Sequence, residues 1–211
     1  MQLNTLSSSN INLLEKYFNH EDTPFNNRSH QMIRSHLYDL DKGVLFFIED
    51  NNEIVATFGA IVVIMSDGVV CAKVPHRLHV RKDYTQHHNT FVDKFFEPAL
   101  YNWLEHKQIH NLMQTVNEGN ERAGFVSWLR HNRRRKYASQ HVTDFGKQFI
   151  NGTWTIQPYL IDEMQTWQYC AWVSINNTPW NRIWRDTKDI SPQIVNKLNS
   201  HFKFSDLGWA L

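Results

Sequence analysis

The segment from Val69 to Trp128 limits the possible folds of this 211-residue chain more than any other. Residues 69–80 have the composition of a strand and lead into a polar tract, Lys82 to Thr90. Apolar residues then recur at spacings of one, three and four, as on one face of a helix: Phe91, Val92, Phe95, Phe96, Ala99, Leu100, Trp103 and Leu104. The run from Ile109 to Val116 predicts a strand that returns parallel to the first, which makes a right-handed βαβ unit.

The order of these elements also predicts where a ligand binds. Ligands of open α/β sheets lie beyond the carboxyl ends of the strands, which here means the segments that begin at Arg81 and Asn117. The polar tract opens a helix, and the free N–H groups and dipole of a helix start favour an anion such as phosphate. The sequence therefore predicts a binding crevice at this edge.

Further strands precede this unit. Val44 to Ile64 contains two apolar runs joined at Asp50 to Asn52, where aspartate and asparagine accept the left-handed dihedrals of a hairpin turn. Ser66 to Gly68 then turns the chain into the strand from Val69. Three antiparallel strands leading into a βαβ unit predict an α/β (α+β) fold, a mixed and mostly antiparallel sheet with a central parallel βαβ crossover and flanking helices.

Helices are predicted near the amino terminus and across the βαβ unit. Ser7 to Asn10 offers N-cap residues. The short amphipathic helix that follows has its apolar residues at Ile11, Leu13, Leu14, Tyr17 and Phe18. A second helix is predicted from Asn26 to Leu40. In the crossover helix, Pro98 lacks the N–H that would bond to Lys94, so we expect a kink or a restart there.

Short motifs at the ends of the two parallel strands carry a family resemblance. The first strand ends in Leu78-His79-Val80 and is followed by the turn Lys82-Asp83-Tyr84, and the second runs into Thr115-Val-Asn-Glu-Gly-Asn-Glu-Arg-Ala123. In these motifs and in the order of elements from Val44 to Gln148, the chain resembles the GNAT superfamily of acyl-CoA-dependent N-acyltransferases. The resemblance implies a GNAT-like fold, acetyl-CoA as cosubstrate and an amine as acceptor.

The resemblance also implies which residues bind the cosubstrate. Backbone groups of Leu78, His79 and Val80 would hold the pantetheine and the thioester carbonyl. The pyrophosphate would lie on the segment that consists of Gln86, His87, His88, Asn89 and Thr90, and Asn120 opens the following helix. The helical region near the amino terminus would shape one wall of the acceptor site.

Two catalytic candidates follow by position. Many members place a glutamate base two residues before the leucine of the strand-end triplet, and this chain has His76 there, whose imidazole can accept a proton near neutral pH. Strand alternation then predicts that His79 lies on the opposite face from His76. Members carry a tyrosine acid on the helix after Asn120, and the aligned residue is Ser127. In the other interpretation, His76 has no catalytic role and is simply one of 12 histidines, hydrogen-bonded at a half-buried site.

Departures from the family pattern keep a second class of function open. Members hold the pyrophosphate on a glycine-rich loop, whereas Thr85 to Thr90 contains no glycine, and side chains hinder close approach of backbone N–H groups to a phosphate. A serine hydroxyl is also a weak acid compared with tyrosine. The alternative is a GNAT-like scaffold without catalysis that serves as a binding or assembly protein.

Charge and composition exclude several other classes. With 22 basic and 21 acidic residues the net charge is +1, which does not indicate a nucleic-acid partner. The basic run from Arg130 to Lys136 is either a solvated helix end or a patch for the 3′-phosphate of coenzyme A or a nucleic-acid backbone. His87 and His88 lack metal-ligand spacing, so no metal is predicted.

The amino terminus has no signal-peptide pattern and no apolar run could span a bilayer, so a cytoplasmic protein without membrane partner is expected. Cys71 and Cys170 both lie in strand-like segments and are expected to be buried thiols rather than a disulfide.

The carboxyl-terminal third predicts three more strands, from Lys136 to Phe149, Thr153 to Ile161 and Trp167 to Ile175. Most of the eight tryptophans lie between Trp154 and Trp184, where they either fill the core or form a protein interface. The expected organisation is a GNAT-like domain over residues 1–176 and a docked extension over 177–211, with a helix near residues 192–202.

Overall fold

A seven-stranded sheet organises the protein, whose computed structural model describes residues 1–18, 42–64, 68–117, 142–151, 155–161 and 166–175. The strands are β1 Gln2–Thr5, β2 Gly43–Asp50, β3 Glu53–Ile64, β4 Val70–Val80, β5 Asn111–Asn117, β6 Thr155–Ile161 and β7 Thr166–Ser174. Their order in the sheet is β1-β2-β3-β4-β5-β7-β6. Only β4 and β5 pair in parallel among these strands, which confirms the predicted mixed, mostly antiparallel sheet with a central parallel crossover.

The β2–β3 hairpin forms where the turn residues predict it. Asp50 pairs with Glu53, and the two asparagines between them have positive φ angles, 51° at Asn51 and 63° at Asn52. Asparagine tolerates this left-handed region better than most residues, because its short side chain can bond to the local backbone. The tight turn fixes the register of β2 on β3 and places both acidic residues at the same end of the hairpin.

The crossover helix, residues 82–106, joins β4 to β5 in four consecutive segments. A 3-10 helix spans Lys82–His87, an α-helical turn (α2) spans His88–Phe91, a π-helix spans Val92–Phe96, and an α-helix (α3) spans Glu97–His106. Proline removes one helical donor and clashes with the preceding turn, and the wider π turns take up this break. The predicted restart at Pro98 is confirmed, because α3 begins with this proline in its first positions.

Two apolar clusters cover the two faces of the sheet. The crossover helix packs on one face, and this cluster includes Phe46, Ile48, Phe58, Ala60, Ala72, Val74, Phe91, Phe96, Leu100, Leu104 and Leu112. Within it, the rings of Phe58 and Phe96 stack with centroids 5.4 Å apart. The predicted amino-terminal helix is confirmed as α1, Ile11–Phe18. It packs on the other face in a cluster with Leu6, Leu14, Tyr17, Phe18, Leu45, Phe47 and Ile54.

The strand predicted from Lys136 to Phe149 is wrong over its described part, because Asp144–Asn151 forms a helix, α4. Thr143 begins it, since its side-chain oxygen accepts a hydrogen bond from the Gly146 N–H (3.2 Å), which is the role of an N-cap residue. The apolar residues Phe145 and Phe149 are four apart, a spacing that fits a helix face better than a strand.

The other two carboxyl-terminal strands are confirmed as β6 and β7. Cys71 on β4 is buried and in no disulfide. The predicted helices at 26–40 and 192–202 and the extension 177–211 lie outside the described residues.

Close packing of α4 on α3 generates the first prediction. A Cβ added at Gly146 would contact the Val142 side chain and lie 2.8 Å from the Tyr101 Cβ, both buried. Gly146→Ala should therefore lower the free energy of unfolding by about 1–3 kcal/mol, because overpacking outweighs the better helix propensity of alanine. Urea denaturation measures the change.

Gln148→Ala, on the exposed side of the same helix, is the matched control and should leave the unfolding free energy within about 0.5 kcal/mol of the wild type. A Gly146→Ala protein as stable as this control would contradict the close approach of the two helices.

Candidate active site

The parallel pair β4–β5 is short, and the two strands then separate. Only three residue pairs are in register, Ala72 with Leu112, Lys73 with Met113 and Val74 with Gln114, whereas β4 continues to Val80 and β5 to Asn117. Among the described residues, the β5-facing edge of β4 has no strand partner beyond Val74. An opening therefore lies between the carboxyl ends of two adjacent strands, at the edge where the order of elements predicts a ligand.

Irregular pairing of β4 with β3 begins at the same point. Lys73 pairs with Ile61, His76 with Gly59 and His79 with Thr57, so β4 twice advances three residues while β3 advances two. Pro75 lies in the first of these irregular steps and has no N–H to donate to either neighbouring strand. Bulges accommodate such a residue in an interior strand and bend the strand, which accounts for the departure of β4 from β5 after Val74.

The pairing with β3 gives the backbone positions of the two histidines. His76 and His79 pair with Gly59 and Thr57, which are two residues apart on β3, so both positions fall in the same phase of the strand pairing. One more residue of β4 than of β3 lies between these two pairs, which marks a bulge, so regular alternation does not run unbroken from His76 to His79. His76 lies on β4 two residues beyond Val74, the last residue paired with β5.

Thr57, which pairs with His79, locates the face of the sheet on which His79 lies. Its side chain is buried on the α1 side of the sheet beside Tyr17, and burial raises the pKa of the Tyr17 hydroxyl, against smaller opposing effects of Arg81 and of a hydrogen bond with Thr57. His79 is half-buried. The strand end near the opening therefore adjoins the face that α1 covers.

The remaining strand-end residues lie at the terminus of β4. Leu78 is half-buried and packs against the cluster under the crossover helix, and Val80 is buried in it. Asn120, Ser127 and the basic run from Arg130 to Lys136 lie outside the described residues, so the structure does not place them.

The polar tract is helical and not the loop that the family pattern implies. The N–H of His88 donates to the carbonyl oxygen of Thr85, and two side chains return to the backbone three residues earlier: Thr85 Oγ1 donates to the Lys82 carbonyl (3.0 Å) and Gln86 Nε2 to the Asp83 carbonyl (3.0 Å). Without glycine, these residues have a helical conformation that uses backbone groups internally. Gln86, Asn89 and Thr90 are exposed, and His87 and His88 are half-buried.

A buried arginine anchors the start of this helical tract. Arg81 is only 7% exposed, and its Nε and Nη2 donate to the two carboxylate oxygens of Asp83 at 2.8 and 2.7 Å, while Nη1 donates to Glu53 at 2.9 Å. The guanidinium carbon lies 5.0 Å from the centre of the Tyr84 ring. The hydrogen bonds to Asp83 and Glu53 raise the pKa of Arg81 above its usual range.

Two further contacts extend this network to the hairpin turn and to α1. The Tyr84 hydroxyl donates to Asp50 at 2.8 Å, which raises the pKa of Tyr84 and lowers that of Asp50. One carboxylate oxygen of Glu53 pairs with Arg81, and the other lies 3.4 Å from the Nζ atom of Lys16 on α1. Both contacts lower the pKa of Glu53. We call Arg81, Asp83, Glu53, Tyr84 and Asp50 the Arg81 network.

The Arg81 network was missed by sequence reasoning. Asp83 is two residues from Arg81, a local signal that could have been noticed, but Glu53 and Asp50 belong to a hairpin about thirty residues earlier in the chain. A shallow groove beside the network, between α1 and the hairpin turn, is lined by Leu13, Lys16, Tyr17, Asn52, Glu53, Ile54 and Arg81. In the described part of the chain, no three His, Cys, Asp or Glu residues are arranged to hold a metal ion. No helix there is long and apolar enough to cross a membrane.

Comparison with known proteins gives structural similarities only. No family model matches the sequence, and no curated protein matches it. A variant of spermidine N-acetyltransferase from Vibrio cholerae is similar in structure, with 10% sequence identity over 86% of this chain and 99% of that chain and a TM-score of 0.46.

Two further solved structures give similar values. The ribosomal-protein alanine N-acetyltransferase from Escherichia coli has 16% identity, 82% and 93% coverage and a TM-score of 0.44. A probable acetyltransferase from Staphylococcus epidermidis has 13% identity, 82% and 98% coverage and a TM-score of 0.44. With TM-scores below 0.5, the fold assignment depends on the strand order and the parallel β4–β5 pair. That arrangement, three antiparallel strands feeding a βαβ unit, is the GNAT-like order that the sequence motifs imply.

The lowered pKa values of Asp50 and Glu53 generate a prediction about acid stability. A carboxyl group whose pKa is lower in the folded than in the unfolded chain stabilises the fold at pH values above its unfolded pKa, which is 3.8 for Asp50 and 4.5 for Glu53. This contribution is lost as the pH falls through the lowered pKa of the folded chain. The free energy of unfolding should therefore decrease as the pH is lowered below about 4.5. Its slope should be shallower in the double variant Asp50→Asn/Glu53→Gln.

Urea denaturation at a series of pH values between about 3 and 7 measures both slopes. Equal slopes in the wild type and the double variant would contradict the contribution of these two carboxylates.

Proposed function

We propose that the protein is an N-acyltransferase that transfers an acetyl group from acetyl-CoA to an amine. The observation that carries this proposal is the separation of β4 and β5 after Val74 and Gln114. It leaves the β5-facing backbone edge of β4 without a strand partner among the described residues. The pantetheine arm of coenzyme A contains two amides, and an extended amide chain adds to a free strand edge by main-chain hydrogen bonds.

In this proposal, the end of β4 binds and orients the acyl donor. Backbone groups of Leu78, His79 and Val80 bind the pantetheine and orient the thioester carbonyl, and the tract from Gln86 to Thr90 meets the pyrophosphate. The start of the crossover helix is at the same end of β4, which puts the helix dipole in the correct sense for an anion. Asn120 would complete the cosubstrate site.

His76 is the proposed general base. The acceptor nitrogen forms a bond to the thioester carbonyl carbon, the carbon–sulfur bond breaks, and His76 takes the amine proton directly or through a water molecule. The leaving thiolate takes a proton from Ser127 or from solvent. The support for His76 is its position on β4, two residues beyond the last residue that pairs with β5.

The helical tract favours a second candidate function, a GNAT-like scaffold that binds a protein partner without catalysis. Its internal hydrogen bonds use backbone N–H groups, such as that of His88, which donates to the Thr85 carbonyl and not to a phosphate. The partner surface in this alternative is the tryptophan-rich region from Trp154 to Trp184. Acetyl-CoA binding separates the two functions.

Calorimetric titration of the full chain with acetyl-CoA tests the proposed function. We expect a dissociation constant in the micromolar range, and His88→Glu should weaken binding about tenfold because it puts a negative charge beside the pyrophosphate. Gln148→Glu adds the same charge on the exposed side of α4 and should bind like the wild type. Absence of heat and of a thermal shift at millimolar acetyl-CoA would overturn the acyltransferase and favour the scaffold.

The role of His76 has its own test once an amine screen has supplied an acceptor. His76→Gln should lower kcat/KM by about 10²–10⁴-fold and should remove the rise of rate with pH near neutrality, because the general base is lost. Affinity for acetyl-CoA should not change.

His106→Gln, at the exposed end of α3, is the matched control and should keep wild-type kinetics. A His76→Gln protein with wild-type rates and an unchanged pH profile would show that another group takes the proton.

A further inference from the structure

The guanidinium of Arg81 is paired with groups of the protein. Arg81 is a buried residue, three of its side-chain N–H donors bond to Asp83 and Glu53, and its guanidinium carbon lies near the Tyr84 ring. Its positive charge is paired with two carboxylates, those of Asp83 and Glu53, so Arg81 itself does not attract an anion. Arg81 is therefore placed to hold protein segments together and not to bind a phosphate.

These contacts join three segments at the end of β4. Arg81 directly follows Val80, and its backbone N–H donates to the Val55 carbonyl of β3 at 2.9 Å. Its carbonyl accepts the N–H of Tyr84 at 2.9 Å, which forms the first turn of the crossover helix. The side chain connects that turn to the β2–β3 hairpin through Glu53. Bidentate pairing with Asp83 fixes direction as well as distance.

A row of rings connects the Arg81 network to the polar tract. The ring centroids of Tyr84 and Phe91 are 6.5 Å apart, and His87 lies 6.2 Å from Tyr84 and 5.8 Å from Phe91. Tyr84 is held at its hydroxyl by Asp50, and Phe91 is fully buried in the core. The segment from Gln86 to Thr90 is thus supported at one end by the Arg81 network and at the other by the core.

We propose that Arg81 is a positioning residue, which fixes the Gln86–Thr90 tract relative to the open edge of β4 and thereby sets the affinity for the acyl donor without contacting it. This inference rests on the proposed acyltransferase function. An acyl donor that binds the strand edge and the tract together needs a fixed distance and angle between them. The fork of arginine holds that geometry through two parallel bonds, which the single ammonium of lysine cannot reproduce.

The test compares Arg81→Lys and Asp83→Asn with Asp144→Asn. Asp83 is 44% exposed, so its amide variant keeps the fold even if the arginine variant does not. Asp144 on α4 forms an exposed pair with Lys147 at 2.6 Å, and Asp144→Asn repeats the same chemical change away from the site. Calorimetry gives the acetyl-CoA dissociation constant of each protein, and hydrogen–deuterium exchange without ligand reports the mobility of residues 86–91.

We expect both network variants to bind acetyl-CoA about tenfold more weakly than the wild type. They should also exchange the amides of residues 86–91 faster, because the first turn of the crossover helix opens more often. Asp144→Asn should match the wild type in both measurements.

If the wild type binds acetyl-CoA and both network variants bind it with the same affinity, the positioning role of Arg81 is overturned, while the proposed function stands. Weaker binding with unchanged exchange in the tract also overturns it, because Arg81 would then act by some route other than positioning. A wild-type protein that does not bind acetyl-CoA overturns the proposed function, and the inference falls with it.

Discussion

A proline in an interior strand is the constraint on which the architecture of the candidate site depends. Pro75 cannot donate a backbone hydrogen bond, and β4 accommodates it where its pairing with β3 loses regular register. The parallel pairing with β5 ends at Val74, one residue earlier. The extra residues in β4 also decide that His76 and His79 have the same register phase. One missing N–H thus affects both the opening between the strands and the placement of the candidate base.

A second proline shapes the other side of the same unit. Pro98 coincides with the change from π-helix to α-helix within the crossover, and the two segments still bury Phe96 and Leu100 against the sheet. At its start, the crossover helix is held by Arg81 and Asp83, which connect it to the β2–β3 hairpin. The crossover is therefore a succession of helical segments, fixed by polar contacts at its first turn and by apolar contacts beyond it.

The polar tract, which lacks glycine, is helical. A glycine-rich loop offers backbone N–H groups to a phosphate, whereas this tract folds as helix and presents the side chains of Gln86, Asn89 and Thr90 to solvent. Such side chains can donate hydrogen bonds to a phosphate, as amide and hydroxyl groups do in other sites. In the proposed function, the acyl donor would meet polar side chains and a helix dipole in place of a backbone cradle.

The sequence alone determined β2 to β7, the hairpin turn at Asn51 and Asn52, α1 and the parallel crossover, because apolar periodicity and turn chemistry are local, whereas the short strand β1 was not predicted. It did not determine α4, where strand-like composition competed with a helix start at Thr143. Tertiary structure alone decided the register of His76 and His79, since a bulge is defined only by the partner strand. It also decided the contact of Arg81 with Glu53, which depends on how a distant hairpin packs against the end of β4.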